Sequence, residues 1–379
     1  WEGFWSNGGM VELAGSKDPR ALELERRIIL SQYLTAIQCG GSLPPAETGL
    51  TCNSWYGKFH LEMHWWHAVH FAYWNRIDLL ERSLWWYQLI LSQAQKIAAT
   101  QGYSGARWPK MVGPEGLDSP SPIGPLLIWQ QPHPIYYAEL CYRAHPNRET
   151  LERYREIVFK TADFLASYAV YEQERDRYVL GPPVIPAQEC HRPQSTLNPT
   201  FELAYWAFGL EVALKWRRRL NLPPAPKWKR VLAQLSPLPT GDGYYLAHEN
   251  CPTTFTEFNI DHPSMLGALG MLPGWGVDRS VMAGTLRQVI ATWKLETAWG
   301  WDFPLMAMTA ARVGEPQLAV DLLLFASPKN TYLPNGHNHQ KTRDDLPLYL
   351  PGNGGLLTAV AMMVAGWEGG PRLSAPGFP

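Results

Sequence analysis

The stretch Phe303-Pro304-Leu305-Met306-Ala307-Met308-Thr309-Ala310-Ala311-Arg312-Val313-Gly314-Glu315-Pro316-Gln317-Leu318-Ala319-Val320-Asp321-Leu322-Leu323 reads as two helices folded back on one another. Both halves are apolar at helical spacing. The link Gly314-Glu315-Pro316 joins a residue that ends helices to one that starts them. The same rhythm recurs along the chain, with helices expected near 19–38, 60–75, 77–99, 126–144, 147–170, 199–220, 226–236, 262–271, 278–293, 303–313, 316–327 and 354–367. Strand alternation is rare. Long Gly/Pro-rich loops separate some of the pairs, at 100–125, 171–198, 238–261 and 328–353, and long loops inside a compact domain are usually functional. About twelve helices in antiparallel pairs, with short and long links alternating, predict an all-α (α/α)6 barrel. Its short turns would lie at one end and its long loops at the other, around a central cavity. Segments 60–75 and 262–271 are apolar almost all round, as an inner ring requires. No repeat of fixed period is present, so a helical solenoid is the alternative. The expected organisation is an N-terminal extension over 1–18, the barrel over 19–370 and a tail over 371–379.

Composition narrows the function classes. Of 379 residues, 46% are hydrophobic, and the formal net charge is −1, with pI near 6.9. Neither suits a polyanion partner, so no nucleic acid is expected. The one basic run, Lys215-Trp216-Arg217-Arg218-Arg219, reads as a solvated helix face. Five scattered cysteines without a Cys-x-x-Cys pair predict neither a disulfide framework nor a zinc site. No apolar run approaches the ~20 residues of a membrane span. The chain opens on Trp1 without a signal-peptide pattern. A soluble protein, cytoplasmic or periplasmic, working without a cofactor or metal is expected.

Eighteen Trp, 17 Tyr and 12 Phe make 12% aromatic residues, more than core filling would be expected to need. Pyranose faces are apolar and their rims are hydroxyls, so aromatic rings beside carboxylates suit a carbohydrate. Such a grouping occurs in Trp55-Tyr56-Gly57-Lys58-Phe59-His60-Leu61-Glu62-Met63-His64-Trp65-Trp66. Glu62 and His60 could bind sugar hydroxyls, with Trp55 and Trp66 as platforms. Glu62 could equally serve only to compensate the nearby histidines. His60, His64 and His67 fall on one helical face, which raises a metal site as an alternative, although no His-Glu-x-x-His is present.

Glycoside cleavage needs an acid for the leaving oxygen and a base or phosphate on the opposite face. Glu189, in the apolar loop Pro186-Ala187-Gln188-Glu189-Cys190-His191, is the candidate acid. Desolvation there would favour its protonated form; a salt bridge with Arg192 is the rival reading. Asp302, in Trp299-Gly300-Trp301-Asp302-Phe303, is the candidate base, unless it merely caps the helix that follows. Glu296 is the second candidate base. Asp261 and His262 open another expected helix. His337 lies in Asn335-Gly336-His337-Asn338-His339-Gln340, and Asn353 in the expected turn Pro351-Gly352-Asn353-Gly354-Gly355, whose glycines could admit a ligand to the backbone. Trp108, Gln131, His191 and Trp301 complete the expected substrate-binding set.

These motifs, in this order, resemble glycoside hydrolase family 65, the maltose and kojibiose phosphorylase group, and more distantly the inverting fucosidases of family 95. Gly49-Leu50 followed by Tyr56-Gly57 and the Glu62 segment resembles Gly-Leu…Tyr-x-Gly-His-x-Phe-Trp-Asp-Thr-Glu of the family. The resemblance implies that Glu62 stands where an aspartate holds the glycone. Gly102-Tyr103-Ser104-Gly105-Ala106-Arg107-Trp108-Pro109 is similar to Gly-Tyr-x-Gly-Ala-x-x-Pro-Trp. Gln188-Glu189-Cys190-His191 resembles Asp-Glu-Tyr-His, whose glutamate is the general acid. Asp261-His262 falls near a glycone-binding Lys-Gln pair that this chain lacks. Where the family holds phosphate with His-Asp-Ser-Ser-Leu-Ser, this chain has Ala298-Trp299-Gly300-Trp301-Asp302-Phe303. Those serines are absent and a carboxylate is present. The family's usual N-terminal β-sandwich would lie outside this chain.

The resulting expectation is an inverting glycosidase acting on an oligosaccharide or glycoconjugate, with Glu189 as acid and Asp302 or Glu296 as base. The alternatives are a phosphate-dependent disaccharide phosphorylase, a carbohydrate-binding protein without catalysis, and a polysaccharide lyase. Glu62, Glu189, Asp261 and Asp302 are expected to converge. At least two of Trp65, Trp66, Trp108, Trp129, Trp299 and Trp301 are expected to line the pocket.

Overall fold

A computed structural model describes residues 1–379. Thirteen α-helices dominate: α1 Glu2–Asn7, α2 Ala21–Cys39, α3 His64–Tyr73, α4 Ile77–Leu89, α5 Leu91–Thr100, α6 His133–Ala144, α7 Arg148–Tyr168, α8 Thr200–Arg219, α9 Pro226–Ala233, α10 Arg279–Thr292, α11 Asp302–Arg312, α12 Pro316–Leu323 and α13 Leu350–Ala365. Strands are confined to two- and three-residue ribbons in the loops, such as Val170–Glu172 with Arg177–Val179. None of the helices is long and apolar enough to cross a membrane. The chain divides into two compact units, residues 1–83 with 294–379, and residues 84–293.

Local chemistry sets the helix ends. Asn147 caps α7 by accepting the Thr150 N–H, and Asp278 caps α10 by accepting those of Ser280 and Val281. Proline opens α6, α9, α12 and α13 within their first two positions, where its missing N–H costs nothing. The link between α11 and α12 falls at Val313–Glu315, with Gly314 in the left-handed region.

Four expected elements differ. The 77–99 helix is two, broken at Ile90. Residues 126–132 form turns, and α6 starts only after Pro132. Segment 262–271 is buried but holds only a short 3-10 turn, Ser264–Ala268; Pro263, Gly267 and Gly270 leave it without the run of good formers an α-helix needs. The fourth difference bears on the site. Pro351-Gly352-Asn353-Gly354-Gly355 is not a ligand-facing turn but the first turns of α13.

The glycines of α13 serve close packing. In the first unit α13 packs on α3, α11 and α2, and α11 on α12. A Cβ at Gly354 would collide with the Trp66 carbonyl oxygen, and one at Gly355 would press on Pro304 and the Trp66 ring. Gly354→Ala should therefore push α13 off α3 and destabilise the protein by about 1–3 kcal/mol, the scale of an overpacked core. Chemical denaturation would measure it, and an unchanged midpoint would refute this account. In the second unit α7 packs on α6 and α8, and α8 on α9.

The aromatic residues build this core. Trp65, Trp66, Trp108, Trp129 and Trp301 are all at most 2% exposed, and of the six expected wall residues only Trp299 is partly open. The inference from composition to an aromatic-walled pocket is thereby corrected. Indole rings bury 150–250 Å2 each and here fill the spaces between helices.

Candidate functional site

In the first unit the candidate residues gather around His60. Trp55 and Tyr56, in the 3-10 turn Ser54–Gly57, both take left-handed backbone angles. The Trp55 ring lies 5.7 Å from that of His60. The His60 imidazole is buried between two carboxylates, its Nε2 2.8 Å from Glu62 Oε1 and its Nδ1 3.1 Å from Glu47 Oε2. Burial alone would push the imidazole down, but Glu47 and Glu62 outweigh it and raise its pKa to about 9. A protonated ring carries an N–H at both nitrogens, one hydrogen-bonded to Glu62 and the other ion-paired with Glu47. Beside them, burial holds the Tyr349 hydroxyl well above its ordinary range, reinforced by the charges of Glu47, Asp302 and Glu62. Glu62 and Asp302 thus share one neighbourhood. Trp66 and Trp301 stack with ring centroids 4.9 Å apart, both in the core.

Asp302 is fully buried at the first position of α11. The N-cap residue is Trp301, and Asp302 instead turns its Oδ2 back to accept the Trp299 N–H at 2.7 Å. A simple N-cap role is therefore corrected, although a first-turn carboxylate still gains from the helix dipole. Lys329 Nζ lies 4.9 Å and the Arg343 guanidinium 5.6 Å from the centre of the Trp299 ring. Glu296 is exposed. His337 receives the Gln38 amide at Nε2, 2.9 Å away. Asn353 is a buried clamp: its Oδ1 accepts the Asn338 N–H, and its Nδ2 donates to Ser31 Oγ and the Gly336 carbonyl.

The histidine face expected as a metal alternative is not one. His64 bonds Ser83 Oγ and His67 bonds the Glu47 carbonyl, so the rings diverge. A cavity of about 500 Å3 in this unit, lined by Met10, Leu13, Leu24, Val320, Leu324 and Phe378 among others, holds none of the candidate site residues.

In the second unit the loop carrying Glu189 is pinned at three points. Glu202 Oε1 accepts the Ala187 N–H at 2.6 Å. The Gln188 amide donates to the Phe258 and Ile260 carbonyls, and its oxygen lies 3.0 Å from His191 Nε2. The tie to Ile260 brings in Asp261, whose charge helps burial raise the Cys190 thiol to about 12. Asp261 sits at φ +60°, and its Oδ1 lies 3.6 Å from His262 Nε2. Glu189 pairs with the Lys110 ammonium, not with Arg192, which is exposed. Lys110 is delivered by the Gly102–Pro109 run. There Gly105 adopts φ +82° and leaves no room for a Cβ against the Lys160 carbonyl. Gln131 fixes the same run by bonding the Trp108 N–H and carbonyl. Trp108 itself is core, donating to Thr161 Oγ1. Trp108, Gln131 and Asn353 thus spend their polar atoms on the protein's own framework.

His191, His248 and Cys251 each bring a potential ligand atom within 4.8 Å of the others, all buried. Burial pushes His191 to about 3 and His248 to about 4, so both rings are neutral at pH 7. One nitrogen of each is already engaged, by Gln188 and by the Asn250 N–H respectively.

Sequence reasoning missed Glu47, Lys110 and Glu202. Glu47 lies in Pro44-Pro45-Ala46-Glu47, an apolar loop of the kind that singled out Glu189, so the same rule would have found it. Glu202 was legible as the one acid in the run Phe201–Leu210; burial raises it to about 7. Lys110 carried no signal of its own.

No protein-family model matches the chain, and no curated protein does. Solved structures do. One described as a kojibiose phosphorylase from the human microbiome matches 96% of this chain with TM-score 0.73 at 10% identity. The chain spans 57% of that protein's length. A glycosidase matches 89% of this chain and 97% of its own, with TM-score 0.66 at 16% identity. A glycosidase variant in complex with glucose gives TM-score 0.65 at 15% identity over the same shares. At such identities the likeness is one of fold. The chain has the all-α (α/α)6 barrel fold of these structures.

Proposed function

We propose that the protein is an inverting glycoside hydrolase acting on an oligosaccharide or glycoconjugate. The observation that carries this reading is the buried group in the first unit, where Glu47 and Glu62 flank His60 and, with Asp302, act on Tyr349. Carboxylates fixed by an imidazolium and by backbone N–H groups are pre-organised acceptors for sugar hydroxyls. In this reading Glu62 holds the sugar, Asp302 draws a proton from water, and Glu189 protonates the departing oxygen. The solved glycosidases and phosphorylase of the same fold support a carbohydrate substrate.

Phosphorolysis is the second reading. It is favoured by the kojibiose phosphorylase likeness and by Lys329 and Arg343, two cations beside the Trp299–Asp302 turn that an anion could use. Against it stands Asp302, a carboxylate where the resembling family places serines for phosphate. A screen of aryl glycosides and disaccharides, with and without inorganic phosphate, separates the two. Hydrolysis yields free sugar without phosphate, and NMR of the first-formed anomer reports inversion. Strict phosphate dependence would establish the second reading. Glucose binding without turnover of any substrate would leave only a carbohydrate-binding protein.

A further inference from the structure

Glu47 lies outside every motif that points to a sugar, yet it is as buried as Glu62 and shares its histidine. The three side chains form one line, Glu47–His60–Glu62, each at most 3% exposed. Two carboxylates about one neutral imidazole could not both receive a proton from it, because a neutral ring has one N–H. Only the imidazolium carries an N–H at both nitrogens. With both carboxylates ionised, the charged ring is the form that answers each of them, by a hydrogen bond to Glu62 and an ion pair to Glu47, and two ion pairs offset its desolvation more readily than one.

We propose that Glu47 is a positioning residue for Glu62: through His60, which it keeps as an imidazolium, it fixes the orientation of the Glu62 carboxylate toward a sugar. This rests on the reading of Glu62 as a sugar-binding residue. The other groups facing the line leave this logic intact. His67 donates to the Glu47 carbonyl and is held neutral by burial, its pKa lowered to about 3. Tyr349 stays a phenol and presents a hydrogen bond to Glu47. Asp302 adds negative charge beyond Tyr349, and Arg343 adds positive charge toward Glu47 while paired to Asp345. The Trp55 ring flanks His60 without titrating.

The consequence is a binding site whose affinity depends on pH through a residue that need not touch the ligand. The His60 ring should titrate near 9, against about 6.5 for a free imidazole. Loss of its proton frees the Glu62 carboxylate to turn, and sugar affinity should fall with it.

The test follows the His60 ring by NMR in the full chain, alongside calorimetric binding of glucose across the same pH range. In Glu47→Gln the ring should titrate at least one unit lower, and the fall in glucose affinity should move down by the same interval. For a one-unit shift the variant should bind glucose about twofold more weakly than wild type at about pH 8, widening to about tenfold near pH 10, equivalent to about 1.4 kcal/mol. Glu47→Asp, which keeps the charge, should restore most of the shift. A wild-type ring that titrates near the free value overturns the proposal with no variant needed. So does a Glu47→Gln loss of affinity that is equal at every pH, the mark of a merely structural role. Failure of the underlying reading looks different: Glu62→Gln would bind glucose as well as wild type although the wild-type His60 titration stayed high.

Discussion

Replacing Glu189 with glutamine is expected to slow turnover of substrates with poor leaving groups by about 10²–10⁴-fold, the usual worth of general acid catalysis. Activated aryl glycosides should suffer least, because their leaving groups depart without a proton. The side chain keeps its shape, and its loop is held by Ala187, Gln188 and His191 rather than by Glu189 itself. The loop should therefore stay in place at the cost of the Lys110 pair alone, and a wild-type circular dichroism spectrum for the variant separates catalytic loss from a folding defect. The Lys110 ammonium complicates the picture in a testable way. At contact distance it favours the ionised carboxylate, the opposite of what a proton donor needs. The sugar's leaving oxygen must displace that ammonium or come between the two groups. Lys110→Gln should then extend activity to higher pH, since the protonated carboxyl no longer competes with an ion pair. If Glu189→Gln slowed good and poor leaving groups alike, Glu189 would not be the acid.

The fold was legible where physics is local. Alternating helical runs and the Gly314–Pro316 link place α11 to within a residue and fix the start of α12, though α12 ends at Leu323 rather than near 327, because apolar spacing and helix-end chemistry act over a few positions. The start of α13 was not legible. Glycine and proline normally mark turns, and only the approach of Trp66 and Pro304, distant in sequence, explains glycines inside a helix. The aromatic residues misled for a related reason. A tryptophan beside a carboxylate in sequence need not face the same space, and Trp66 turns into the core while Glu62 turns to His60.

At the site, local reading singled out the loop carboxylate Glu189 as a candidate and picked the Glu62–His60 pair, whose members lie two residues apart. It missed partners supplied from elsewhere: Glu47 for His60, Lys110 for Glu189, Glu202 for the Ala187 backbone. Each is a charge whose meaning depends on what the tertiary fold sets against it. Glu202 shows the point most plainly. A glutamate within an apolar helix reads as an irregularity until its oxygen is seen holding the loop that carries the candidate acid.

Asp302→Asn is expected to abolish hydrolysis to a similar degree, about 10²–10⁴-fold, but with the opposite dependence on substrate. Water activation is needed whatever the leaving group, so activated aryl glycosides should not recover the rate. The asparagine oxygen can still accept the Trp299 N–H that Asp302 now receives at 2.7 Å. The turn into α11 should survive, and a melting temperature close to wild type would show it. External azide should restore turnover and give a glycosyl azide, because a small anion can occupy the space of the lost base and attack in its place. The product's anomeric configuration, read by NMR, would report the face from which attack occurs. Glu296→Gln is the control that decides between the two candidate bases. Glu296 is exposed where Asp302 is buried, and exclusion of bulk water strengthens the field a base exerts on one bound water. Near-normal activity in Glu296→Gln is therefore expected. The reverse pattern, with Asp302→Asn active and Glu296→Gln dead, would move the base to the exposed residue and leave Asp302 as the anchor of its turn.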